Sequence, residues 1–218
     1  MPCRKFGSTG LAVIALLAVA GCGDNGDGEA PDTAPPVLAV SPVALDGPYD
    51  PVRDAYGDVT FAHRDAVLPF GFEIRPGVYS CGFEYYTVVD APVRAASSGV
   101  VVYMFQNEGS SDFEIHIRPT QRSVWDVQHD HVLGPTVQEG SPVAAGDVLG
   151  SSGEWSATIR RTELSVSRIE GPGTDRSYCP LQFANDLFAA EHQALLDAVN
   201  AHGFGPYDSL CSTDVCLP

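Results

Sequence analysis

The sequence predicts a mainly β protein, an antiparallel sandwich or barrel-sandwich core followed by one C-terminal amphipathic helix. Three observations predict it. Short apolar runs with two-residue alternation recur along the middle of the chain, as in Phe113-Glu114-Ile115-His116-Ile117 and Val124-Trp125-Asp126-Val127. Turn-forming stretches such as Asn107-Glu108-Gly109-Ser110-Ser111 separate them. One segment, Leu181 to Ala201, instead spaces Leu187, Phe188, Leu195, Leu196 and Val199 at helical intervals, with Gly203 placed to stop it. Strands this short and this closely punctuated belong to antiparallel sandwiches and barrels.

In chain order, Arg4 and Lys5 come first, and an apolar run from Leu11 to Ala20 follows. A helix that stays in a bilayer needs about 20 apolar residues. A shorter run behind a positive start matches the core of an export signal. Val19-Ala20-Gly21-Cys22 comes next and resembles the bacterial lipobox. That resemblance implies a signal peptide over 1–21, cut before Cys22, whose thiol then carries a diacylglycerol. The alternative is an ordinary secretory signal in which Cys22 is incidental. Residues 22–57 open with a Gly-, Asp-, Ala- and Pro-rich stretch and are expected to form a flexible tether. Residues 58–180 are expected to form the β domain, and 181–218 the helix and a disulfide loop. Gly23 stands where enteric-type sorting uses Asp to retain a lipoprotein at the inner membrane. The expected location is therefore the cell envelope, lipid-anchored on the outer-membrane side or at the cell surface.

Charge removes whole classes of partner. The 218 residues carry 12 Lys and Arg against 28 Asp and Glu. Without residues 1–21, ten arginines remain and the net charge is about −18. Such a surface repels nucleic acid and anionic lipid headgroups, so membrane contact is expected through the lipid alone. Of six cysteines, Cys3 leaves with the signal and Cys22 is the lipid site. Cys81, Cys179, Cys211 and Cys216 remain, an even set in an oxidising compartment, and are expected to form disulfides. The close spacing of Cys211 and Cys216 suggests a bridge between them, leaving Cys81 to join Cys179. A four-cysteine zinc site is the competing reading, and no C-x-x-C spacing supports it.

The middle of the chain carries a further resemblance. Ala91-Pro92-Val93-Arg94-Ala95-Ala96-Ser97-Ser98-Gly99-Val100-Val101 is followed by Asp130-His131-Val132. Then comes Val137-Gln138-Glu139-Gly140-Ser141-Pro142-Val143-Ala144-Ala145-Gly146-Asp147-Val148-Leu149-Gly150. In order and spacing these segments resemble the LytM/lysostaphin-type peptidase domain (M23, the duplicated hybrid motif), over Leu68 to about Ser167. The resemblance implies a sheet of mostly antiparallel strands with a groove along it. Biotinyl and lipoyl carrier domains share part of the pattern. They need a cofactor-bearing lysine, and Lys5 is the only lysine here.

Peptidases of the family hold zinc through "H-x-G-x-D" and the second histidine of "H-x-H", a donor set that leaves a position for an activated water. Aligned to them, Pro69-Phe70-Gly71-Phe72-Glu73 and Glu163-Leu164-Ser165 lack both histidines. His63 cannot replace Pro69, because it precedes Glu73 by ten residues instead of four. Glu73, His131 and Glu163 are the candidate groove cluster, able in principle to bind a cation or act as acid and base. His129, two residues before His131, is expected on the same face. His116 either lines the groove or is solvated. Trp125 and Trp155 are read as core or rim residues, with stacking on sugar as the alternative. No G-x-S-x-G elbow marks a serine nucleophile.

Three functional readings follow. One is a metal-free, cofactor-free lipoprotein that binds peptidoglycan or associates with a cell-wall hydrolase, as degenerate members of the family do with amidases. Another is a metallo-endopeptidase acting on peptidoglycan through Glu73, His131 and Glu163, with zinc as its cofactor. A disulfide-stapled surface domain with an unrelated ligand is the third.

Overall fold

The computed structural model describes residues 30–171, 173–204, 207–213 and 215–216. The expected signal peptide and Cys22 lie outside the described residues. The fold is mainly β with one α-helix, as its alternating pattern predicts. Its working strands are β1 (Phe83–Thr87), β2 (Pro92–Arg94), β3 (Gly99–Gln106), β4 (Asp112–Arg118), β5 (Trp125–Leu133), β6 (Val148–Glu154), β7 (Arg160–Gly171) and β8 (Thr174–Tyr178). Side by side they run β1-β7-β5-β4-β3, every neighbour antiparallel. β6 bridges the ends of β5 and β7 and also holds β2, while β8 pairs with the far half of β7 on the edge opposite β5. No helix among the described residues is long and apolar enough to cross a membrane.

The strand alternation sorts the sheet into an apolar back and a polar front. The back carries Phe83, Tyr85, Val127, Leu164 and Val166 under the helix, and Val101, Ile115, Ile117, Val132 and Leu149 beyond it. Helix α1 (Asp186–Ala201) lays Phe188, Leu195, Leu196 and Val199 on this surface. It starts five residues later than its periodicity suggested. Pro180–Phe183 forms a 3-10 turn, and Asn185 then caps the helix, its side-chain oxygen accepting from the Phe188 N–H at 2.8 Å. One buried polar contact fixes the helix against the sheet. The Tyr85 hydroxyl donates to His192 Nε2 at 2.7 Å, and His192 Nδ1–H donates to the Phe188 carbonyl at 2.8 Å. Burial holds the His192 pKa down to about 4, so the ring is neutral and can accept.

The structure corrects two expectations. The tether does not extend to residue 57. Leu38, Val43 and Leu45 lie in the main core, and the Leu38 backbone bonds to Phe183 and Asn185. The Gly- and Asp-rich composition that marks a tether ends before Pro36, and the apolar residues after it have a surface to cover. The four cysteines do pair, but as Cys81–Cys216 and Cys179–Cys211. The two cysteines of the C-terminal segment pack at different places. Cys211 lies beside Phe70, and Val215–Cys216 forms an edge strand on β8, so the two cysteines meet different neighbours. In chain-entropy terms each bridge contributes about 3–5 kcal/mol.

Two substitutions test this packing in urea titrations with the disulfides intact. Leu38→Ala should lower stability by about 2–5 kcal/mol, the usual cost of emptying a core leucine site. A free tether at this position would leave stability unchanged. Tyr85→Phe should lower it by about 1–3 kcal/mol, because His192 Nε2 loses its donor in a dry site.

Candidate functional site

On the front face, residues directly opposite one another form rows across the sheet. One row runs Tyr103-His116-Gln128-Ser165, and another runs Glu84-Glu163-Asp130. Along the strands the face continues through Glu114, Arg118 and Asp126. The result is an open groove of about 1100 Å³ at the end lined by Tyr103, His116, Arg118, Asp126, Glu139 and Ile169.

Glu163 lies in this face as expected, but Glu73 does not. The tripeptide Gly-Phe-Glu occurs twice, at 71–73 and 82–84. The first copy leads into an exposed two-stranded hairpin, Glu73–Arg75 with Val78–Tyr79, where Glu73 accepts from the Gly77 N–H at 2.9 Å and caps the turn. The second copy puts Glu84 in β1 directly opposite Glu163. Gly82 is required there, since a Cβ on it would come 2.5 Å from Glu163 Oε1. The sequence held a usable signal: Phe83–Thr87 is a strand-forming run beside Ala91-Pro92-Val93, whereas Pro76-Gly77 after Glu73 is a turn.

Glu84 and Glu163 are in different electrostatic states. Arg161 Nη1 sits 3.2 Å from Glu84 Oε1 and neutralises it, with the guanidinium 4.9 Å from the Trp155 ring centre. His63 stacks on Tyr86 at 3.7 Å, and Trp155 meets Tyr86 edge-on at 5.4 Å. This aromatic cluster covers the end of the face and leaves Glu84 only 6% exposed. Part of Glu163 still reaches the surface. Even so, burial, and after it the charges of Glu84 and Asp130, push its carboxyl up to about 8 against the pull of Arg161. Glu163 is thus mainly a neutral acid near pH 7.

The histidines separate as well. Between Phe113/Val132 and Ile115/His129, β4 has one residue and β5 has two, a bulge at Asp130 and His131. His131 takes a left-handed backbone, φ 57°. Its Nδ1 lies 3.1 Å from Asp112 and its Nε2 3.5 Å from Asp130, while Asn107 donates to both carboxylates at 2.9 and 2.7 Å. Burial acts to raise the Asp112 pKa, but hydrogen bonds from Asn107 and Ser110 and the His131 ring outweigh it and bring it down. His131 is therefore held by aspartates, not by Glu73 or Glu163. The bulge breaks the two-residue period, so His129 does not share the groove. It is fully buried, its Nε2 accepts from the Ala96 N–H at 2.9 Å, and burial lowers its pKa to about 3.

A zinc ion of the expected kind does not fit these residues. The positions aligned with the two lost zinc-ligand histidines are Pro69, which has no ligand atom, and Ser165, whose hydroxyl donates to Gln128. Glu84 is paired with a cation, and Glu163 is protonated. Among the described residues no three His, Cys, Asp or Glu side chains converge on one point. What remains is a neutral acid beside a neutralised carboxylate.

No family model matches the sequence, and no curated protein does either. Among solved structures, the chain is similar to lysostaphin in solution at 17% identity and a TM-score of 0.45. That match covers 66% of this chain and 54% of lysostaphin, so the chain spans little more than half of that protein. It is also similar to the catalytic domain of the antimicrobial peptidase lysostaphin from Staphylococcus simulans, at 22% identity, TM-score 0.41, 53% of this chain and 85% of that domain. A third similar structure is the catalytic domain, in a mutant form, of the prophage-encoded M23 protein EnpA from Enterococcus faecalis, at 20% identity, TM-score 0.40, 51% of this chain and 85% of that one.

The raised Glu163 pKa fixes the sign of a pH effect. A carboxyl that holds its proton more tightly when folded contributes fully below its unfolded value, near 4.5, and that contribution is lost as pH rises through about 8. Glu163→Gln keeps the shape without the titration. Relative to wild type it should gain stability steadily between about pH 5 and 8, read from urea midpoints at several pH values. A difference that stays flat over that range would mean the carboxyl is not held protonated.

Proposed function

We propose that this chain is a cell-envelope lipoprotein, anchored through Cys22, whose M23-like domain binds peptidoglycan or a hydrolase acting on it without cleaving the polymer. The observation that carries the reading is the Arg161–Glu84 ion pair opposite the neutral Glu163. Glu163 stands where the resemblance puts the first histidine of H-x-H, and the carboxylate opposite it is already paired with Arg161. Two further features support it. The segments at 91–101 and 137–150 resemble the family in order and spacing, and the aromatic cover of His63, Tyr86 and Trp155 restricts access to Glu84. The alternative, a metallo-endopeptidase using Glu73, His131 and Glu163, needs Glu73 in the face, where instead it caps an exposed hairpin turn.

The test uses the purified mature chain with its disulfides formed. Metal content is measured by atomic emission, and retention on insoluble peptidoglycan by sedimentation. Release of soluble fragments is followed with and without added zinc. The expected result is retention, no stoichiometric zinc and no fragments. Retention only when a cell-wall hydrolase is present would select the hydrolase as the partner. Zinc at one per chain with chelator-sensitive release of fragments would overturn the reading.

A further inference from the structure

The open end of the groove lies beyond the glutamate pair and is built differently. Three charged side chains line its floor, Arg118, Asp126 and His116, and Glu114 contacts His116 from outside the lining. Arg118 grips Asp126 through two bonds, Nε to Oδ1 and Nη2 to Oδ2, both at 3.0 Å. His116 lies between Asp126 and Glu114, Nδ1 3.7 Å from the first and Nε2 3.0 Å from the second. Burial works to lower the His116 pKa, but hydrogen bonds and charge from Asp126 and Glu114 overcome this and raise it to about 9. With Glu114 included, the chain has two positive and two negative groups and no net charge, and its members hold one another in place.

One wall is aromatic. Tyr103 stands opposite His116 in the sheet with its ring edge-on to the imidazole at 5.5 Å, and Phe105 is 5.5 Å from Tyr103. Tyr103 is 53% exposed, so its ring is available at the groove surface. On the rim, Glu139 and Asp175 are exposed and acidic, and Gln121 adds an amide.

Each feature selects among ligands. A charge-balanced floor favours a neutral ligand over an ion. Asp126 is only 4% exposed and both its oxygens are held by Arg118, so the guanidinium is the member of the pair that reaches a ligand, as a donor to hydroxyl or carbonyl oxygens. The exposed aromatic ring suits the C–H face of a sugar, and the acidic rim disfavours anionic polymers. At about 1100 Å³ and open to solvent, the groove has room for a linear oligomer.

We infer that the groove between Tyr103 and the Arg118–Asp126–His116 chain binds a neutral linear saccharide. This rests on the proposed function and deepens it: the module holds the glycan strand of the wall, not its peptide. Tyr103 covers one sugar face, and Arg118 donates to a hydroxyl or acetamido oxygen of the same unit.

The test titrates the full mature chain by calorimetry with the β-1,4-linked tetramer of N-acetylglucosamine, and separately with a wall peptide free of sugar. The tetramer should bind and the peptide should not. Tyr103→Ala, a surface change that should leave the thermal midpoint unaltered, should weaken tetramer binding roughly five- to tenfold, the loss expected when the apolar face of one ring is no longer covered. Arg118→Lys, which breaks the two-bond fork, should weaken it by a similar factor, whereas Glu163→Gln should not. Binding of the peptide instead of the tetramer, or a Tyr103→Ala variant with wild-type affinity, would overturn the inference. If the chain sediments with peptidoglycan but ignores the tetramer, this inference fails and the proposed function stands. Tetramer binding lost in Tyr103→Ala, without retention on peptidoglycan, supports the inference and sinks the proposed function.

Discussion

The register of β7 is the constraint on which the rest of the structure depends. This strand pairs with β1 and β5 along its middle, with β6 at its start and with β8 at its end. Because side chains alternate, a slip of one residue would turn Leu164 and Val166 to the front and drive Glu163 and Ser165 into the back. Two features hold the register. Gly82 leaves room for the Glu163 side chain, and the buried Thr162 hydroxyl donates to the Asp130 carbonyl at 2.8 Å. The helix, the core and both ends of the groove take their positions from that alignment.

Local pattern carried much of this. The alternation around Ile115 and Val127 and the helical spacing from Phe188 to Val199 record a choice between water and core at every residue, so strands, sheet class and helix were legible. What escaped depends on contacts distant in sequence. The two Gly-Phe-Glu copies are identical as tripeptides, and only a partner strand about 80 residues on decides which faces Glu163. The bulge that separates His129 from His131 adds one residue to a pairing and leaves no mark in hydrophobicity. Cysteine spacing misled for the same reason, since Cys211 meets Phe70 and Cys216 meets β8, contacts that spacing does not record. Glu163 was legible because it sits in a regular strand beside Leu164.

Charge in the front face is handled internally. Arg161 answers Glu84, Arg118 answers Asp126, and Glu163 avoids its charge by keeping a proton. Taking one member from a buried pair costs several kcal/mol, because the other is left uncompensated. The face therefore resists single changes toward a metal site. A histidine at Ser165 alone would still meet a protonated Glu163 and an occupied Glu84.

The disulfide connectivity has a temporal consequence. Each bridge joins a cysteine of the β domain, Cys81 or Cys179, to one that follows α1, Cys211 or Cys216. Neither bridge can close until synthesis has passed α1, and neither closes in a reducing compartment. The eight strands and the helix are therefore all made before a covalent bond can tie any of them together.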